Sequence, residues 1–161
     1  MNENRNLKPL LLRPLRKEDE KAFLEYRKKT PSLAALGPEE EFRHLLEKVS
    51  ADPGSVTGVF QRGRLVGLLF LTRRSEKEAE IGYEVAKDQR GKGIGGAMLL
   101  SFLPQALLRY PVLIARVEEG NLPSRSLLRK AGFLLLPERI EPLSTGGSVL
   151  LYEKRRFPRE E

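Results

Sequence analysis

The chain has 161 residues, 40% hydrophobic and 32% charged, with one histidine and no cysteine. That length favours one domain around a single core. The composition excludes disulfides, thiolate zinc sites, a cysteine nucleophile and a multi-histidine metal cage. A formal net charge of +7 and a pI near 9.8 favour polyanionic partners, be they nucleotides, nucleic acid, acidic peptides or anionic membranes, without choosing among them. No apolar stretch approaches the roughly 18 residues needed to span a bilayer, and the polar start, residues 1–8, lacks a signal-peptide pattern. A cytoplasmic location and no membrane partner are expected.

The first predicted element is a strand over residues 7–15, an apolar run stopped by Pro14. A polar helix follows near 18–29, with Ala22, Phe23 and Tyr26 as its inner stripe, ended by Thr30 and Pro31. Pro38 suits the first turn of a second helix, and the acidic run Glu39, Glu40, Glu41 complements its positive end. Phe42, Leu45, Leu46 and Val49 recur there at helical spacing, and His44 among them reads as structural. Residues 56–60 and 65–72, joined by a short polar segment, form a β-hairpin. Residues 79–86 alternate, with Ile81, Tyr83 and Val85 on one face and Glu80 and Glu84 on the other. A long apolar helix covers about 94–109, with a kink expected at Pro104. A buried strand at 112–117 and a short helix at 123–131, closed by Gly132, come next. Two final strands, 133–136 and 149–152, enclose a polar loop, and the charged tail 154–161 is expected to be loose. The charge runs at 13–21 and 73–77 read as solvated faces.

The stretch Gln89-Arg90-Gly91-Lys92-Gly93-Ile94-Gly95-Gly96 carries the strongest chemical signal. It stands between a strand and a helix. Glycines let backbone turn sharply and approach a ligand closely. The first N–H groups of the helix have no internal partners and sit at its positive end. With Arg90 and Lys92 they make a pyrophosphate cradle, each charge-assisted hydrogen bond contributing about 1.5–3 kcal/mol. Gly91, Gly93 and Gly96 also satisfy G-x-G-x-x-G, with Glu118 or Glu119 after the next strand. A dinucleotide fold is disfavoured because residues 87–90 separate strand from glycine, a hairpin precedes the unit, and too little chain follows for a doubly wound sheet. The Walker A pattern fails.

Arg90, Gly93 and Gly95 match the Arg/Gln-x-x-Gly-x-Gly/Ala loop of the GNAT-type N-acetyltransferase superfamily, which the chain resembles. A second signature matches at Asn121-Leu122-Pro123-Ser124 and Leu127-Leu128-Arg129-Lys130-Ala131-Gly132-Phe133. Leu12-Arg13-Pro14-Leu15 with Asp19, and Glu80-Ile81-Gly82-Tyr83, are similar to the branch containing ribosomal-protein N-terminal acetyltransferases. The resemblance implies one domain over 1–161, core about 10–153, of mixed α/β (α+β) class. Its central sheet is mostly antiparallel with helices on both faces, the acyl-CoA N-acyltransferase fold.

It also implies acetyl-CoA as co-substrate without a metal, and transfer to a primary amine by direct attack in a ternary complex. The strands at 79–86 and 112–117 would run parallel and splay, admitting pantetheine against backbone near Val85 and Lys87. The cofactor-binding set is Val85, Lys87, Arg90, Gly91, Lys92, Gly93, Ile94, Gly95, Gly96, Asn121 and Ser124. Many relatives place a proton-donating tyrosine where this chain has Leu128, so Ser124 takes that role here, against the alternative of a first-turn serine bonding backbone. Glu80 and Glu84 are the candidate bases, with a solvated strand face, or loss of the proton to water, as alternatives. The first two helices would set acceptor choice. A protein N-terminus, a polyamine, an aminoglycoside or an amino-acid derivative all remain candidates, and a homodimer through the final strands is compatible with the pattern. The rivals are a non-catalytic acyl-CoA sensor and a nucleic-acid module. The second lacks helix-turn-helix, RNP-like and zinc motifs, so nucleic acid enters only through a ribosomal substrate.

Overall fold

The computed structural model describes residues 7–32 and 35–157. The polar start and the end of the charged tail lie outside the described residues. The first strand, β1 (Leu11–Pro14), is shorter than expected and includes Pro14, paired with Thr57 of β2 (Val56–Gln61). A proline is tolerated there because β1 is the edge of the sheet and needs no donor on its outer side. β2 turns into β3 (Arg64–Arg73) through Arg62 and Gly63, at φ 51° and 76°. Two consecutive residues at positive φ make the tight hairpin turn whose twist matches the strands.

The helices between β1 and β2 are α1 (Glu20–Lys29) and α2 (Pro38–Ala51). β4 (Glu78–Val85) leads into α3 (Ile94–Arg109), which continues through Pro104. β5 (Val112–Glu118), α4 (Leu122–Lys130), β6 (Leu134–Leu135), β7 (Glu141–Pro142) and β8 (Ser148–Arg155) complete the chain. The eight strands follow the order β1-β2-β3-β4-β5-β8-β6, with β7 against β8. β4 and β5 are parallel; the other registers found, β1 with β2, β2 with β3, and β8 with β5, β6 and β7, are antiparallel. The parallel register spans only Glu78–Glu80 against Val112–Ile114, although both strands run further.

The last third departs from the sequence expectation. β8 is eight residues long and takes in Lys154 and Arg155. Arg156 donates from Nε to Leu107 O (2.6 Å) and from Nη2 to Leu108 O (2.7 Å), satisfying carbonyls that the end of α3 leaves unpaired. This part of the tail is therefore fixed. β7 escaped notice because two residues carry no periodicity.

Contacts divide the chain into two units: Met1–Phe70 with Tyr83–Ser101, and Leu71–Gly82 with Phe102–Glu161. In the first, Phe23, Tyr26, Phe42, Leu45, Phe60 and Leu68 form the core, with the Phe23 and Phe42 rings 5.2 Å apart. The helical stripe read from α1 is thus the buried one, with Phe23 fully enclosed. In the second unit Ile114, Leu136, Val149 and Leu151 form one cluster, and Phe102, Leu113, Phe133 and Tyr152 are also buried.

Two charged residues of α1 and the turn before it are buried: Asp19, which lies in the 13–21 run expected to be a solvated face, and Arg27. Asp19 accepts a fork from Arg13 (2.8 Å to each oxygen) and the Arg16 N–H (2.8 Å). Arg27, 3% exposed, forks onto Glu41 of α2 at 2.8 and 2.9 Å, donates to Thr30 O, and reaches Glu84 of β4. The acidic first turn of α2 therefore supplies a buried counterion as well as a charge for the helix dipole.

Removing the cation from a buried pair strands its carboxylates, which costs about 3–5 kcal/mol. Arg27→Met is expected to lower unfolding free energy by about that much in urea titration, and Arg27→Met/Glu41→Leu to recover part of it. Desolvation raises the Asp19 pKa, but the bonds and charges of Arg13 and Arg16 outweigh it and hold the carboxyl below its ordinary value of 3.8. Its folded pKa lies below its unfolded one, so its stabilisation is full above about pH 4 and fades as pH falls through the folded value. Denaturation midpoints measured from pH 6 to pH 2 should fall less steeply for Asp19→Asn than for the parent.

Candidate active site

In the first unit, β4 ends at Val85, and Ala86 N–H donates to Val66 O (2.8 Å). A 3-10 turn, Lys87–Gln89, follows. Lys87 N–H donates to Thr30 Oγ1 (2.9 Å), and Arg90 Nε to Val85 O (3.3 Å). Asp88 pairs with Arg64 and, at 3.7 Å, with Lys29. Arg64 holds its carboxyl below the usual range, although the group is exposed. These contacts anchor the turn that delivers the chain to the glycine-rich loop.

Gly91 and Gly93 adopt φ of 78° and 83°, a region that side-chain-bearing residues rarely enter. Around Gly91 an added Cβ would meet nothing within 4 Å, so the loop is open on that side. Ala97 N–H makes the bond back to Gly93 O (3.1 Å). The N–H groups of Ile94, Gly95 and Gly96 precede it in the first turn of α3, where a helix leaves its donors unpaired. Ile94 is buried and fixes the start of the helix, while Arg90, Gly91 and Lys92 are exposed. Oriented donors, the positive end of a helix and two exposed cations are features suited to an anion.

Glu84 stands on the same unit, half-buried. Its Oε1 accepts the Tyr26 hydroxyl (2.7 Å) and an Arg27 N–H. Burial, and then the adjacent carboxylate, push the Tyr26 phenol above its ordinary value, so it stays a donor.

Glu80 belongs to the second unit. Arg74 Nη2 lies 3.0 Å from its Oε2, and Arg116 Nε lies 3.6 Å from its Oε1. Arg116 also pairs with Glu141 at 2.6 Å. Asn121 occupies the N-cap of α4, where its Oδ1 accepts the Ser124 N–H (3.2 Å). Ser124 is half-buried, and Leu128 faces the interior at 1% exposure. Arg125 binds α4 to its surroundings through Tyr152 OH (3.1 Å) and Glu119 O (2.9 Å).

Glu84, Val85, Lys87 and the 90–96 loop thus share the first unit, and Glu80, Asn121 and Ser124 share the second. The sequence reading overlooked Arg27, Arg116 and Arg125, and gave Glu41 a helix-end role without its pairing to Arg27. Only Arg27 left a trace, since it lies one residue from Tyr26 on the buried side of α1. The others sit at surface-like positions, and long-range pairing leaves no periodic signal.

The acetyltransferase (GNAT) domain family matches residues 9–134, most of the chain. Solved structures share the fold. A ribosomal L7/L12 α-N-protein acetyltransferase in complex with coenzyme A superposes at TM-score 0.79, with 18% identity, over 91% of this chain and 93% of that one. The ribosomal-protein-S5-alanine acetyltransferase of Vibrio fischeri gives 0.78 and 15% over 97% and 98%. The ribosomal-protein-alanine N-acetyltransferase of Brucella melitensis gives 0.72 and 25% over 90% and 99%. Among curated proteins, none is similar enough in sequence to count as a match. No described helix is long and apolar enough to cross a membrane. A family match over most of the chain, spanning the glycine-rich loop and α4, is decisive: the chain belongs to the GNAT acetyltransferases and is an acetyl-CoA-dependent N-acetyltransferase.

Proposed function

We propose that the chain transfers acetyl from acetyl-CoA to a primary amine by direct attack in a ternary complex, its pyrophosphate held on the 90–96 loop. The observation that carries this reading is the left-handed pair Gly91 and Gly93 leading straight into the first turn of α3. The main-chain N–H groups of Gly93, Ile94, Gly95 and Gly96, with Gly91 as the turn, bind phosphate oxygens. Arg90 and Lys92 add charge. Val85 and Lys87 backbone and the Asn121 side chain are assigned to the pantetheine arm. The Lys87 N–H bond to Thr30 would have to open or be shared for that contact.

Attack requires a neutral amine. Glu84 Oε1 is committed to Tyr26 and a buried guanidinium, while Glu80, held by Arg74 through Oε2, has a buried Oε1 with no hydrogen-bond partner among the described residues. Glu80 is therefore the preferred acceptor of the amine proton, and Glu84 organises the first unit. As the amine nitrogen bonds to the acetyl carbon, the carbonyl oxygen gains negative charge, stabilised by a backbone N–H near Val85. Collapse breaks the C–S bond, and the Ser124 hydroxyl stabilises or protonates the departing thiolate. Buried Leu128 has no proton to give. Holding both reactants together supplies much of the remaining acceleration. The fold shared with ribosomal-protein acetyltransferases supports a protein N-terminal α-amine as the acceptor.

Calorimetric titration with coenzyme A tests the phosphate site. Gly93→Glu places a side chain where φ is 83° and a carboxylate beside the phosphates, and should weaken binding at least tenfold. Coenzyme A binding of unchanged strength would refute the loop assignment. In thiol-release assays, Ser124→Ala should lower kcat about 10²-fold, the scale of one general-acid contact, while the coenzyme A Kd stays within about twofold. Unaltered kcat would remove Ser124 from the mechanism.

A further inference from the structure

The second unit contains a cavity of about 180 Å³ lined by Arg74, Glu78, Glu80, Arg116, Arg139 and Glu141, with Ile114 and Leu151 as its apolar floor. It is smaller than pockets that take drug-sized ligands, roughly 300–1,000 Å³, so it suits one small head group. Three guanidinium groups and three carboxylates balance it electrically. A ligand of net charge would leave that charge uncompensated, and a ligand with one charge of each sign would not.

Two details give the cavity a polarity. Glu80 Oε1 is shut off from bulk water, and among the described residues no hydrogen-bond donor reaches it; Arg116 Nε stands at 3.6 Å. Buried acceptors are nearly always bonded, and the donor beside this oxygen stops short, so a small shift of that guanidinium would open the oxygen to an incoming N–H. Arg139, also in the lining, lies 3.6 Å from Glu78, past hydrogen-bond length, and is half-exposed. Its planar fork is suited to a carboxylate. Arg74 and Arg116 hold their glutamates more closely, at 3.0 and 2.6 Å.

We infer that this cavity selects amines that carry a nearby carboxylate, with the ammonium donating to Glu80 Oε1 and the carboxylate received by Arg139. The chemistry is shared by a free α-amino acid, whose carboxylate is its own, and by a peptide beginning with an acidic residue. The inference rests on the acetyltransferase reading for one point: the amine held at Glu80 is the acceptor.

Calorimetry on protein saturated with coenzyme A separates the alternatives without requiring turnover. The probes are free glutamate, glutamate diamide, and two matched peptide amides beginning with Asp or Asn. At least one carboxylate-bearing probe should bind about tenfold or more tightly than its amide counterpart, the scale of one charge-assisted contact. Which pair shows the difference identifies the source. Arg139→Met should bring the ratio to within about twofold of one, and Glu78→Gln, which removes the competing carboxylate, should widen it. Equal affinities within both pairs, absence of binding by every probe at millimolar concentration, or a ratio untouched by Arg139→Met would each overturn the inference. Failure of coenzyme A itself to bind would instead strike the proposed phosphate site, and the probes would then be titrated without it.

Discussion

A guanidinium that is 3% exposed has to be met by acceptors on every side, and in this protein that condition organises the first unit. Arg27 reaches α2 through Glu41, the end of its own helix through Thr30 O, and β4 through Glu84. Three elements far apart in sequence are thereby fixed at the point where β4 is about to end. Thr30 carries the constraint onward, because its hydroxyl accepts the Lys87 N–H while its carbonyl serves Arg27. The chain enters the glycine-rich loop from a turn whose position is set by buried charge. Phosphate binding by main-chain donors needs that positioning, since such donors cannot adjust independently.

The loop combines two opposite requirements. Gly91 and Gly93 must be free to take positive φ. The residues on either side must be held, and Asp88 does so through Arg64 and Lys29, as Ile94 does by burial. A fixed loop loses little entropy when a ligand binds. The excess positive charge of the chain gives the open side of such a site a further attraction for an anion.

The parts legible in the sequence were those with local or periodic causes. The α1 stripe, Pro38 at the start of α2, the hairpin at Arg62 and Gly63, the existence of β4 and Gly132 after α4 all rest on neighbours within a few residues, though burial alternates along β4 only as far as Ile81. The two family motifs were legible because each is a short local run, and the family match spans both. Asn121 caps α4, a role its motif position did not announce. What the sequence concealed was pairing at a distance: Arg27 with Glu41 and Glu84, Arg116 with Glu80 and Glu141, and Arg156 with the end of α3. A charged residue that will be buried looks in sequence like one that will be solvated, because only the folded chain supplies its partner. The division of β6, β7 and β8 was concealed for a related reason, since strands of two residues owe their existence to β8.

Glu80 and Glu84 show how strongly such pairing separates residues that composition treats as equal. They share one face of β4 and the same strand period, yet they belong to different units. One oxygen of Glu84 meets a phenol and a buried guanidinium, and its bonds tie α1 and α2 to the strand. Glu80 keeps an oxygen without a donor inside a cavity whose fixed charges cancel. A carboxylate whose bonds are already satisfied by the fold contributes rigidity. One left with an unsatisfied oxygen in a desolvated place has a stronger claim to chemistry, because an N–H that arrives there makes a hydrogen bond the fold has not made.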